Sequence, residues 1–372
     1  MKTPTPYIEL PKQVTEVMTK LGDHGYNSYI YGECVRMHIK GQTPFEYSLL
    51  TNADLSRLPA IFDGYKIISG DYNDKDSQEF TVAVLGITLM ISCYDSREGG
   101  SDLQTELQMK QAFTINAIAY SLDGQFHDFW NGLDALSKNE IVFIESDETF
   151  NHLDIMPALM LYADGEFTIS NSAMKLISNH YTKIAASGDE VEAIIMGKNA
   201  RDVLSEYSEV FTAIIPELQM LETLKENPDN IGLDLLAHTF RCVGLSAPEL
   251  TLRYALLFHE LGKPDCYAAR FENGVAVAPT FDGHIERARI YASRIMIRLC
   301  CSDDDIYETG FIIENAEYAQ RVLEGDHGVL MDLKDEFSSS GLKRLLRFNH
   351  AICRANSDEK AAMKYYKILS LI

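Results

Sequence analysis

Strand-like runs crowd into the first 150 residues of this chain and then stop. "YNSYIYGECV", "FEYSLL", "YKIIS", "FTVAVLG", "ITLMISCY" and "EIVFI" are short and rich in β-branched and aromatic residues. Beyond about residue 151, apolar residues recur almost throughout at helical spacing. No repeat of fixed period is present. This pattern predicts an α+β head built on one mainly antiparallel or mixed sheet, followed by an all-α body.

Within the head, residues 7 to 27 carry helix spacing, and "YNSYIYGECV" reads as a strand running into a turn. Gly86 marks a hairpin. Residues 102 to 120 read as helix, "GQFHDFWNGLDAL" as a turn with a buried aromatic pair, and "EIVFI" as a last strand. "LKENPDNIG", residues 224 to 232, is the predicted linker.

Charge narrows the partners. The 372 residues carry a formal net charge of −22, so the bulk surface repels nucleic acid and any such role needs a local basic patch. Residues 1 to 150 hold 11 Lys or Arg against 22 Asp or Glu; residues 341 to 372 reverse this, with seven basic against two acidic. Lys343, Arg344 and Arg347 fall within one helical turn, and Arg287, Arg294 and Arg298 lie at helical spacing. These are the candidate RNA-phosphate contacts, although a solvated helix face is the commoner meaning of such spacing. The seven cysteines contain no CxxC, which predicts a reducing cytoplasm and gives no zinc signature. No apolar run of 18 residues and no apolar signal core is present, so no membrane role is expected.

Five landmarks in order resemble the tRNA CCA-adding enzymes and bacterial poly(A) polymerases that carry an HD domain. Gly-Gly-x-Val-Arg-Asp of that family is matched by "YGECVRM", Asp-x-Asp by "FEYSLLTNA", and Arg-Arg-Asp-Phe-Thr-x-Asn-Ala by "KQAFTINAIAY". The neck resembles it in "GEFTIS" and "IIMGKNARDVLSEYSEVFTAIIPEL", the distal part in "HTF", "LRYALLFHELGKPDCY" and "FDGHIERARIYASRIMIRL". The resemblance covers about residues 20 to 320. It implies a nucleotidyltransferase-like head over 1–150, an RNA-binding-like helical neck over 151–223 and an HD-like helical domain over 224–372. It also implies nucleotide addition from ATP or CTP to the 3′ end of a tRNA-like RNA, with Mg²⁺ held by carboxylates.

The departures fall on the reacting groups. Glu46 and Ser48 hold the places of the two catalytic aspartates, and Met90 stands where a third acidic group is expected on the adjacent strand. A neutral serine hydroxyl cannot bridge two divalent ions. The resemblance assigns nucleotide binding to Gly32, Glu33, Arg36, Lys110, Asn116 and Asp154. Of these, Glu33 replaces a glycine and adds negative charge where a triphosphate would approach. Lys110, Gln111 and Ala112 replace Arg-Arg-Asp, and no arginine occurs between Arg97 and Arg201. Asn116 reads equally as a turn-holding residue, and Asp154 as a helix N-cap. Mg²⁺ is therefore expected to bind weakly or not at all, unless Asp71, Asp74 or Asp76 folds back to replace Ser48.

His238, His259, Glu260 and His284 follow the order of HD-domain metal ligands, with Glu260 replacing the aspartate of the doublet and Glu314 standing in for the final one. Two histidines and a carboxylate suit a divalent metal, or are core and helix-end residues. The change to Glu260 predicts a weak or empty site. "HELGKP" reads as a helix ending at Gly262. Three functions follow: an RNA 3′-end nucleotidyltransferase with impaired or lost catalysis, an inactive nucleotide- or RNA-binding regulator with a protein partner, or a metal-dependent HD phosphohydrolase.

Overall fold

The computed structural model describes residues 7–69, 79–96, 100–222, 224, 234–324 and 327–371. Asp71, Asp74, Asp76 and all of the predicted linker except Leu224 lie outside the described residues. The chain divides into two compact units, Met1–Phe150 with Thr168–Leu176, and Asn151–Phe167 with Ile177–Ile372.

The first unit runs α1 (Lys12–Asp23), β1 (Ser28–Tyr31), α2 (Glu33–Ile39), β2 (Glu46–Thr51), α3 (Leu58–Ile61), β3 (Lys66–Ser69), β4 (Glu79–Val84), β5 (Ile87–Cys93), α4 (Leu103–Lys110), β6 (Ile118–Ser121), β7 (Phe126–Asp128), α5 (Gly132–Lys138) and β8 (Glu140–Ile141). Seven strands form one sheet in the order β3-β4-β5-β2-β1-β6-β7. Its pairs are antiparallel except β2 with β5, which is parallel, so the sheet is mixed.

One face of the sheet is fully apolar. Ile30, Tyr47, Leu49, Phe80, Val82, Leu89 and Ile91 are all buried, and α1 turns Val14, Val17, Met18 and Leu21 inward. His38 of α2 bonds the Tyr47 hydroxyl at 2.8 Å, which sets α2 on this face. Burial of each large side chain contributes about 1.5–3 kcal/mol. Gly86 does mark a hairpin. Leu85 and Gly86 both have positive φ (46° and 88°), the two-residue turn whose twist suits antiparallel strands, and Val84 pairs with Ile87.

Three expectations for the head need correction. Residues 102 to 120 are not one helix. The Asp102 carboxylate caps α4, which stops at Lys110 because the next residues pair elsewhere. Ala112 and Thr114 exchange backbone hydrogen bonds with Ile144 and Val142, and β6 follows. The aromatic pair is not buried: Phe129 is 42% exposed and meets Trp130 edge to face. "EIVFI" supplies only the two residues of β8 and a bridge from Phe143 to Phe113.

The motifs "FTINA" and "DFWNGLDAL" meet for a structural reason. A Cβ on Gly132 would lie 2.1 Å from the Thr114 carbonyl oxygen, so only glycine fits. Asp128 accepts from the backbone N–H groups of Gly132 (2.7 Å) and Leu133 (3.0 Å), capping α5.

The second unit contains α6 (Ile155–Ala163), and β9 (Thr168–Ile169) returns to pair with β8 in the first. α7 (Asn171–His180) begins in the first unit and ends in the second, which continues with α8 (Gly188–Met196), α9 (Ala200–Glu206), α10 (Ser208–Ile214), α11 (Leu235–Leu245), α12 (Leu250–Phe258), β10 (Ala268–Glu272), β11 (Val275–Thr280), α13 (His284–Arg298), α14 (Asp303–Glu324), α15 (His327–Glu336), α16 (Ser339–Ala355) and α17 (Glu359–Leu369). The β10–β11 hairpin interrupts the expected run of helices. Its turn is Asn273-Gly274, both at positive φ, a sequence signal for this hairpin type. Arg253 of α12, only 5% exposed, ties helix ends together by donating to the carbonyls of Ile195, Gly197, Ser246 and Ala247.

Gly132→Ala should destabilise the head by about 3 kcal/mol, the cost of forcing atoms into a filled site. Urea unfolding followed by the single tryptophan, Trp130, measures it. An unchanged midpoint would contradict the packing role.

Candidate functional site

Glu46 and Ser48 share one face of β2, opposite the apolar face. Ser48 stands level with Tyr31 on β1 and Met90 on β5, and the row continues through Ala119 on β6 and Thr81 on β4. Glu46 is exposed, Ser48 half-buried and Met90 39% exposed. Among the described residues, the strands bring only two carboxylates to this face, Glu46 and Glu79, and Glu79 is level with Ser92 rather than Ser48. Further along, Leu50 is sealed in an apolar cluster with Tyr31, Tyr94, Leu107 and Ala119. Burial pushes the Tyr31 phenol above its ordinary value, while its bond with Ser92 acts the other way.

After β1 the chain turns sharply at Gly32, whose φ of 82° and ψ of −145° are open only to glycine. Gln111 fills the space beside it, 3.6 Å from where a Cβ would lie. The residue replacing a family arginine is thus packed onto the expected phosphate turn. Arg36 is buried and donates to the exposed Glu33 carboxylate at 2.6 Å. Glu33 therefore partly cancels the charge of the one arginine retained from the motif, and the repulsion expected of Glu33 is itself reduced.

Lys110 ends α4, half exposed. Asn116 holds a turn through its backbone, which donates to the Phe113 carbonyl, while its buried Oδ1 has no hydrogen-bond partner among the described residues. Asp154 opens α6, but its side chain makes no cap bond. Pro157 is tolerated because it lies in the first turn of that helix.

Three of the candidate phosphate-contacting arginines are engaged by acids. Arg344 donates to Glu249 (2.9 Å) and to Glu308, and Arg347 donates to the other Glu249 oxygen at 2.8 Å. Arg298 grips Glu217 with two bonds of 2.7 and 2.8 Å, which hold that carboxyl below its ordinary range. Lys343 lies half exposed on α16.

A cleft of about 640 Å³ in this unit is lined by His238, His259, Glu260, Lys263 and His284. Glu260 Oε1 lies 3.1 Å from His259 Nε2 and 3.9 Å from His238 Nε2. Lys263 Nζ lies 2.8 Å from Oε2 and 3.1 Å from Oε1. Burial works to raise the Glu260 carboxyl, yet His259 and Lys263 outweigh it and hold the group far below its ordinary value. The His259–Glu260 contact is close but poorly aligned, so His259 Nε2 has no proper hydrogen bond, while Nδ1 is 2.9 Å from the Leu256 carbonyl.

Two expectations here need correction. The helix before His259 ends at Phe258, not Gly262, and His259 is its C-cap. Gly262 serves close packing instead, since a Cβ there would lie 1.9 Å from the His284 carbonyl oxygen. Glu314 is not in the cleft; it pairs weakly with Arg289 at 3.9 Å and lines a separate groove. His284 lines the cleft, but its ring is not among the clustered metal-ligand groups.

No family model matches the chain. The CCA-adding enzyme of Limosilactobacillus reuteri (strain DSM 20016) is 27% identical over 205 residues, 49% of this chain and 49% of that protein. The Multifunctional CCA protein of Tolumonas auensis is 23% identical over 218 residues, 53% of this chain and 50% of that protein. The chain thus spans about half the length of the curated relatives it matches. The Thermotoga maritima CCA-adding enzyme, solved in complex with tRNA, matches over 97% of this chain and 83% of its own, with a TM-score of 0.65 and 11% identity. The Bacillus stearothermophilus CCA-adding enzyme, solved with CTP, matches over 96% and 80%, with a TM-score of 0.61 and 18% identity. The chain has the fold of these CCA-adding enzymes, and about half of it is similar to them in sequence.

Two groups went unread in the sequence, Lys263 lining the cleft and Cys242 buried against His238. Cys242 follows His238 by four residues and so shares its helix face; its Sγ lies 3.4 Å from His238 Nε2. Lys263 follows Glu260 by three, a spacing at which opposite charges meet.

Glu260 and Lys263 form a buried pair, so in chelator-treated protein Lys263→Met alone should cost about 3–5 kcal/mol. Adding Glu260→Gln should recover most of that loss. Thermal or urea unfolding of both variants measures it, and a double variant no more stable than the single would contradict the pairing.

Proposed function

We propose that this chain belongs to the CCA-adding enzyme family but does not add nucleotides, and that it binds a nucleotide or a tRNA-like RNA 3′ end through its head. The observation that carries this reading is the row Tyr31–Ser48–Met90 with Glu46 as the nearest strand carboxylate on its face. Two-metal transfer needs carboxylates that bridge hard cations. A hydroxyl and a thioether do not fit Mg²⁺, so no catalytic step is assigned to it here. ATP, CTP and RNA as ligands follow from the relatives, one of which was solved with CTP and another with tRNA. A protein partner suits a binding role. The seven free cysteines support a cytoplasmic setting. Within the helical unit we retain a neck up to residue 223 and an HD-like domain from 224.

A second reading is favoured by one observation: His238, His259 and Glu260 converge, as a metal-dependent phosphohydrolase requires. Against it, His284 is not among the clustered groups and so does not complete the HD ligand set.

The assay is transfer from labelled CTP or ATP to a tRNA lacking its 3′ end, with Mg²⁺ or Mn²⁺, beside Glu46→Ala. No incorporation is expected, and Ser48→Asp alone should not restore it. The loss of metal ligands and of the arginine grip, at about 3 kcal/mol each, slows transfer by roughly two powers of ten apiece, without strict additivity. Incorporation that disappears in Glu46→Ala would refute the proposal.

A further inference from the structure

Three donor atoms meet beside the helical-unit cleft, and a carboxylate oxygen lies against two of them. His238 Nε2, Cys242 Sγ and His259 Nε2 all lie within 4.8 Å of one another. Glu260 Oε1 sits 3.1 Å from His259 Nε2 and 3.9 Å from His238 Nε2, and Cys242 Sγ lies 3.4 Å from His238 Nε2. Zinc bonds of about 2.0–2.3 Å in a tetrahedron give ligand-to-ligand edges of about 3.3–3.8 Å. Three of the six edges, at 3.1, 3.4 and 3.9 Å, bracket that range.

A second observation is independent of these distances. The His259 side chain is nine-tenths buried, at 10% exposure, and its Nε2 has no hydrogen-bond partner among the described residues. The contact between His259 Nδ1 and the Leu256 carbonyl is the arrangement that fixes a metal-binding imidazole, with the proton on Nδ1 and the Nε2 lone pair aimed at the ion.

We infer that His238, Cys242, His259 and Glu260 form a closed tetrahedral site for a zinc-type transition-metal ion. Two imidazoles, a thiolate and one carboxylate oxygen are the donors of such an ion rather than of Mg²⁺. Binding releases the Cys242 thiol proton to solvent, and the thiolate and carboxylate together balance the dication without redox change. Four protein ligands leave no position for a hydrolytic water. The ion therefore joins α11 to the end of α12 and does not cleave phosphate esters. Lys263 shares Glu260 with the metal, because its ammonium spans both carboxylate oxygens.

The test uses the full chain, stripped with chelator and titrated with Zn²⁺ and, separately, Co²⁺. One equivalent of zinc should bind and raise the thermal midpoint. Co²⁺ should give the intense visible absorption of a tetrahedral ion together with a thiolate-to-cobalt charge-transfer band. Cys242→Ser should abolish that band and weaken binding by about tenfold or more. If Cys242→Ser does not fold, serine replacements at Cys266, Cys300 and Cys301 should leave the band intact. Absence of binding, cobalt binding without a thiolate band, or a band that survives Cys242→Ser or is lost with the other cysteines would overturn the inference.

Discussion

Parallel pairing of β2 with β5 sets Tyr47 beside Leu89 and Leu49 beside Ile91, four side chains that are fully buried. A slip of one residue would turn them all to the opposite face. The same register puts Ser48 beside Met90 and Glu46 beside Thr88. The core of the head thus fixes what stands next to Ser48. On these strands no carboxylate can be brought there without breaking the packing, and replacement of the missing ligand would have to come from another segment. The proposed loss of catalysis and the stability of the fold rest on one constraint.

Much of this head was legible in the sequence because its strands alternate. "FEYSLL" and "FTVAVLG" place every second residue inward, so strand existence, the Gly86 turn and the shared face of Glu46 and Ser48 could be read locally. Residues 111 to 118 could not be. Thr114 and Ile115 leave the helical pattern because residues 142 to 144 offer backbone partners, and that is a tertiary fact. The Asn273-Gly274 hairpin is a different case. Its local signal was present, and the surrounding helical periodicity outweighed it.

The candidate site was legible in residue type more than in partnership. Glu33 and Arg36 were read as separate groups facing a ligand, and they face each other. Arg344 and Arg347 were read as a basic patch, and Glu249 joins them from 95 and 98 residues away. In a chain of net charge −22 the few cations find carboxylates readily, so spacing alone overstates their freedom. The cleft shows the reverse. His238, His259 and Glu260 were identified from their order, but Cys242 and Lys263, which decide the chemistry of the place, become visible only when α11 and the end of α12 are packed together.

The surviving family motifs divide along the same line. Gly32, Gly132 and Asp128 stand where a backbone conformation, a close approach or a cap requires them, whereas Glu33, Ser48 and Gln111 depart from the pattern that the resemblance implies. The most direct test is Mn²⁺ binding to the head in the presence of CTP, followed by electron paramagnetic resonance in the wild type and in Glu46→Ala, with His259→Gln in both to remove the helical-unit site. The account predicts the same weak, unsaturated binding in the two proteins. Saturable Mn²⁺ binding that needs CTP and vanishes with Glu46 would contradict it.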